Sequence, residues 1–182
     1  MFLPLPQRYK VPLLIALTIA IGVIVFAPEV NMFTALFAVL GAIVGFIFLD
    51  AEYIAQAYLI DFHNEHSIKI REYFKNKRFL TLIRYFDQYE YQFGEMSLRS
   101  ALFQVLLAIF GFYFITTNAN AFAQCLSVSL FANLLYAQIL EFASTKNISR
   151  WFWILEVNLS HEAQKLYIIV MSLVLVFHIY YL

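Results

Sequence analysis

Apolar and polar positions follow one another along this chain in long blocks. Apolar runs extend from Val11 to Ala27, from Met32 to Leu49, from Ser100 to about Ile115, from Ala121 to about Leu140 and from Leu166 to Leu182. At about 1.5 Å per residue, each run crosses most of a bilayer core about 30 Å thick. The turn Pro28, Glu29, Val30, Asn31 joins the first two runs, and Thr116 to Asn120 joins the third and fourth. Connections this short force antiparallel neighbours, so the pattern predicts two helical hairpins followed by a single helix. Between the hairpins lies Asp50 to Arg99, the only long segment polar enough to stay in water. No breaker follows Leu49, so the second helix is expected to continue towards Asp61. Further on, Phe79, Leu82, Ile83, Phe86 and Phe93 fall near one helical face, while Arg78, Arg84, Asp87 and Gln88 lie largely elsewhere. That spacing predicts an amphipathic helix lying at headgroup level or covering the ends of the spans. Ser160 is the expected N-cap of the last helix, with Glu162 in its first turn.

The expected fold class is therefore all-α: a polytopic membrane bundle of about five transmembrane helices. The segments are a first hairpin over 1–49, a cytoplasmic amphipathic helical segment over 50–99, a second hairpin over 100–143, an interfacial segment over 144–165 and a fifth span over 166–182. Arg8 and Lys10 before the first run resemble the basic end of a signal peptide, but the length of the run, Pro28 and the second run behind it favour a retained span.

Charge then sets the expected orientation. All twelve Lys and Arg residues fall on the side shared by the N-terminus, Asp50 to Arg99 and Glu141 to Lys165. The positive-inside rule puts that side in the cytoplasm of an inner or plasma membrane and the C-terminus outside. The triplets Asn147-Ile148-Ser149 and Asn158-Leu159-Ser160 then lie on the wrong side to accept glycans. Composition agrees, since 63% apolar and 13% charged residues are far from the values of a soluble domain. One cysteine, Cys125, rules out an internal disulfide framework.

Sliding residues 11–55 by 89 positions onto 100–144 aligns Leu13 with Leu102, Leu17 with Leu106, Gly22 with Gly111, Asn31 with Asn120 and Glu52 with Glu141. A duplication would make the hairpins parallel repeats about an axis along the membrane normal.

Candidate chemistry is sparse. There is no nucleotide loop, no triad signature and no nucleophile with an adjacent base, so neither an enzyme nor a cofactor is expected. In the fourth run Cys125, Ser129, Asn133, Ala137 and Glu141 recur every four residues, a small or polar stripe that should not face lipid. Gln104 is the expected partner of Asn133 or Gln138. One reading makes these residues polar glue between helices; the other makes Gln104, Asn133, Gln138 and Glu141, with Asp50 and Glu52, the lining of a cavity for a polar substrate or lipid headgroup. Gly41 and Gly45 form a small-residue face for close helix packing. His63 and His66, beside Asp61 and Glu65, have ligand types suited to a divalent metal, but the spacing completes no ligand set and a solvated helix end is the better account, so no metal is expected. Basic residues between 69 and 84 can attract anionic lipids, whereas the interspersed acids Glu72, Asp87, Glu90 and Glu95 argue against nucleic acid. Trp151 and Trp153 read as interfacial anchors.

Packing features outnumber reactive ones. The expected function is an integral membrane scaffold or accessory subunit, with membrane lipids and either a second copy or another membrane protein as partners. The competing expectation is a small transporter or lipid-handling protein that uses the inner polar cluster.

Overall fold

The computed structural model describes residues 6–26, 31–89, 96–117 and 119–182, without the side chains of Gln7, Arg8 and Phe26. Phe93, Glu90, Glu95 and most of the Pro28 to Asn31 turn lie outside those residues. The described chain is helical and contains no strand: α1 (Gln7–Phe26), α2 (Met32–Ala55), α3 (Glu65–Lys75), α4 (Phe79–Tyr89), α5 (Ala101–Thr116), α6 (Ala121–Thr145) and α7 (His161–Tyr181). A π-helical turn, Gln56–Ile60, extends α2, and a 3-10 helix, Ser149–Leu155, follows α6. Among the described residues three stretches are long and apolar enough to cross a membrane, Met32–Ile60, Ala121–Thr145 and His161–Tyr181, which fits a membrane protein. Tyr9–Val25 and Ala101–Thr116 are shorter apolar helices.

Side-chain caps start the helices where the sequence supplies them. Asn31 Oδ1 accepts from the Thr34 N–H at 2.8 Å, and Asn120 Oδ1 from the Ala123 N–H at 2.9 Å. Ser100 and Ser160 do the same for α5 and α7. Each cap satisfies an N–H that has no partner within its own helix. At the far end of α6, Lys146 turns left-handed at φ 58° and reverses the chain.

Contacts between helices fix their directions. Ser129 donates to the Ala42 carbonyl at 2.9 Å and Asn133 to the Phe46 carbonyl at 2.8 Å, so α2 and α6 run parallel. Tyr9 at the start of α1 meets Phe46 late in α2, and Gln124 meets the Phe114 carbonyl, so each hairpin is antiparallel. Tyr167 bonds to Gln104 while His178 packs on Gly111, so α7 runs with α5 and against α6. One end of the bundle thus collects the starts of α1, α5 and α7, the ends of α2 and α6, and α3, α4 and the 3-10 helix. It is the basic end.

Gly41 and Gly45 explain how α2 reaches α6. A Cβ on Gly41 would collide with the Phe122 carbonyl, and one on Gly45 with the Leu126 carbonyl. Small residues from three helices fill this junction: Ala16 and Ala20 of α1, Ala38 and Ala42 of α2, and Cys125 and Ala132 of α6. Cys125 is buried there as a free thiol. A second core joins α5, α6, α7 and the 3-10 helix through Leu107, Phe131, Leu134, Trp151, Phe152 and Met171. A third, with Tyr53, Ile70, Leu82, Tyr85 and Phe86, fastens α3 and α4 onto the extension of α2. A two-fold pair of hairpins would set α5 on α2 as α1 sits on α6. The parallel sense is present, but α5 packs on α6, α7 and the 3-10 helix instead.

Candidate functional site: a charged cavity at the basic end

A cavity of about 230 Å³ opens between α1, α2, α4, α6 and the 3-10 helix. Its wall includes Tyr9, Asp50, Asp87, Arg99, Asn133, Tyr136, Glu141 and Arg150. Asp87 is exposed and marks the mouth, whereas Arg99 and Glu141 are buried deeper.

Two ion pairs among the described residues frame the cavity. Arg99 Nη2 lies 3.7 Å from Asp50 Oδ1, and its guanidinium sits 4.9 Å from the centre of the Tyr53 ring. Tyr53 in turn stacks on Phe86 at 4.5 Å, so one layered stack ties α2, α4 and the entry to α5 together. A guanidinium over an aromatic face is favourable, and burial strengthens the attraction. Opposite, Glu141 receives Arg150 Nε at 2.6 Å on one oxygen and Trp151 Nε1 at 2.8 Å on the other. The left-handed turn at Lys146 returns the chain to make both contacts, so Glu141 clamps the 3-10 helix back onto α6.

Six residues were expected to line such a site, and the structure divides them. Asp50, Asn133 and Glu141 share the cavity wall. Glu52 instead uses one carboxylate oxygen to accept from the Leu98 N–H at 2.9 Å, holding the segment that enters α5. Gln104, fully buried, accepts from the Tyr167 hydroxyl at 2.9 Å, so its partner is neither Asn133 nor Gln138. Gln138 is also fully buried, away from the cavity. The stripe on α6 is real as a surface: Ser129 and Asn133 donate to α2 carbonyls, and Asn133 additionally reaches the cavity. The Gly41/Gly45 face is covered by α6 of the same chain.

The histidines are not gathered together. His63 is exposed at the start of the polar segment, whereas the His66 ring nitrogen lies 2.6 Å from the Tyr85 hydroxyl. Burial raises the Tyr85 phenol above its ordinary value, which keeps it protonated and able to donate. Among the described residues no three His, Cys, Asp or Glu side chains come together as a ligand group. Trp151 is not an interfacial anchor: it is 1% exposed and belongs to the core, while Trp153 donates to the Met96 carbonyl.

Sequence reasoning missed Arg99, Arg150, Tyr9 and Asp87 as wall residues. Arg99 and Arg150 each stand next to an apolar stretch, but Lys10, Asp50, Glu141 and Lys165 do so too, so that position does not single them out. Nothing in periodicity marks Tyr9 or Asp87. No family model matches the chain, and neither the curated proteins nor the solved structures yield a match.

Proposed function

We propose that this chain is an integral membrane protein of five spans that holds a small polar group in the charged cavity at its cytoplasmic end, as a small transporter or lipid-handling protein does. The observation that carries the reading is the wall itself: among the described residues, three carboxylates and two guanidinium groups line the cavity. Buried charged side chains such as Asp50, Arg99 and Glu141 are costly, and they collect where a polar ligand or its path requires them. Gluing helices together needs no such space.

Helix directions support five crossings. Because α2 and α6 run parallel and begin at the same end, the chain must traverse the bundle between them, and α5 is the helix that does so. Its sixteen residues span about 24 Å, close to a hydrocarbon core. Between α2 and α5, the polar segment with its amphipathic α4 stays at the cytoplasmic surface, where the clustered Lys and Arg residues attract anionic headgroups.

The scaffold reading is weaker, because both faces suggested for contact with a partner are occupied within the chain. It keeps the exposed apolar surfaces of α1, α2, α5 and α7, which lipid covers equally well.

Native mass spectrometry of protein extracted gently from its own membrane tests the proposal. The expected spectrum shows a bound small molecule on the wild-type chain that is lost from Arg150→Ala. A bare chain, or a chain held only by a second protein, would overturn it.

A further inference from the structure

The charged cavity has an apolar neighbour. A groove of about 420 Å³ runs between α2 and α4, walled by Val44, Phe48, Ala51, Leu82 and Phe86 among others. Among the described residues Asp50 is the one polar residue in its wall, and Asp50 also lines the charged cavity. On α4 the division repeats at adjacent positions, with Phe86 in the groove and Asp87 in the cavity. From Asp50 the groove continues along α2 to Val44, about 9 Å further into the span at helical rise. A charged compartment joined at one residue to an apolar one that points into the membrane has the shape of an amphiphile, with a headgroup and a chain.

Charge narrows the headgroup. Among the described residues of the wall, Arg99 lies against Asp50 and Arg150 against Glu141, and three carboxylates stand beside two guanidinium groups. The third carboxylate, Asp87, is exposed at the mouth. Arg150 keeps 37% of its side chain open to solvent. A zwitterion with a phosphate for Arg150 and an ammonium for Asp87 matches both. We infer that the cavity and groove together bind a phospholipid with an ammonium headgroup, the phosphate at Arg150, the amine at Asp87 and an acyl chain in the α2–α4 groove. This rests on the proposed function and names the ligand class of the same site.

The test uses the full chain held in amphipol, with binding measured by native mass spectrometry for dihexanoyl- and dioctanoyl-phosphatidylethanolamine, for the chain-free headgroup glycerophosphoethanolamine, and for short-chain phosphatidylglycerol. Affinity should rise with chain length by about fourfold per methylene buried, the equivalent of about 0.8 kcal/mol each. Ala51→Phe, at an exposed groove position, should abolish that dependence and leave headgroup binding unchanged. Asp87→Asn should weaken the ethanolamine lipid by up to about fivefold, as befits an exposed ion pair, and leave phosphatidylglycerol unaffected. Circular dichroism confirms that both surface variants fold. Chain-length independence in the wild type, with headgroup binding intact, would overturn the lipid inference and leave the polar-ligand reading standing. Equal binding of phosphatidylglycerol would overturn the ammonium assignment. If neither lipid nor headgroup binds, both readings fail.

Discussion

Two glycines of similar helical setting should respond oppositely to the same substitution. Gly41 faces the Phe122 backbone, so Gly41→Ala must push α2 and α6 apart. Overpacking of this kind costs about 1–3 kcal/mol. Gly22 has nothing within 4 Å of a Cβ, so Gly22→Ala should be neutral or stabilise α1 by up to about 1 kcal/mol. Thermal unfolding in one detergent, followed by circular dichroism, compares them. The prediction fails if Gly41→Ala melts with the wild type. Lys146 gives a third residue-scale expectation. Its φ of 58° strains any side chain with a Cβ, and Lys146→Gly should relieve about 1 kcal/mol and raise the melting temperature. Ser129→Ala, by contrast, removes one bond between helices, worth about 0.6 kcal/mol, and its shift should be small.

Among the elements, the 3-10 helix depends most on a single side chain. Glu141 accepts from both Arg150 and Trp151, and Glu141→Ala would leave the buried indole N–H without a partner. An unsatisfied buried donor costs about 1–3 kcal/mol, and the half-open Arg150 adds little because solvent screens it. In a Trp153→Phe background, where Trp151 alone reports, Glu141→Ala should shift the fluorescence to longer wavelength as the helix lifts from α6. An unshifted spectrum would mean that the hydrophobic contacts of Trp151 and Phe152 suffice. The helices themselves were legible: Ser160 caps α7, α2 does continue to the neighbourhood of Asp61, and the stripe on α6 does turn inward. Glu141 was legible as one of a stripe, but not as a clamp, because its partners arrive through a left-handed turn that periodicity does not encode. Asp50 and Arg99 likewise meet across the whole segment that holds α3 and α4, and Tyr167 reaches Gln104 from 63 residues away in the chain. Helical spacing reports which side of a helix is polar. It does not report which helix comes to meet it.

On the scale of the molecule, side-chain contacts give the relative directions of the helices, and the proposed orientation rests on charge alone. Lys and Arg residues gather at one end of the bundle, and the opposite end has none among the described residues. If the basic end faces the cytoplasm, single cysteines placed at the two ends must label from opposite sides of the membrane. Cys125 is buried and would report nothing useful, so Cys125→Ala supplies the background. Thr117→Cys and Leu182→Cys lie at the end opposite the charges, and Asn76→Cys lies in the exposed turn between α3 and α4. With an impermeant maleimide on intact cells, the first two should label directly and the third only after permeabilisation. Labelling of Asn76→Cys on intact cells would invert the orientation and move the charged cavity to the outer surface. Labelling of all three would remove the membrane reading altogether. A pattern in which Thr117→Cys stays protected while Leu182→Cys labels would mean that α5 does not cross, and α6 could then not run parallel to α2 through the same bilayer. Because the hydrogen bonds from Ser129 and Asn133 to α2 require that parallel arrangement, the labelling of Thr117→Cys tests the number of spans and the packing of α2 on α6 together.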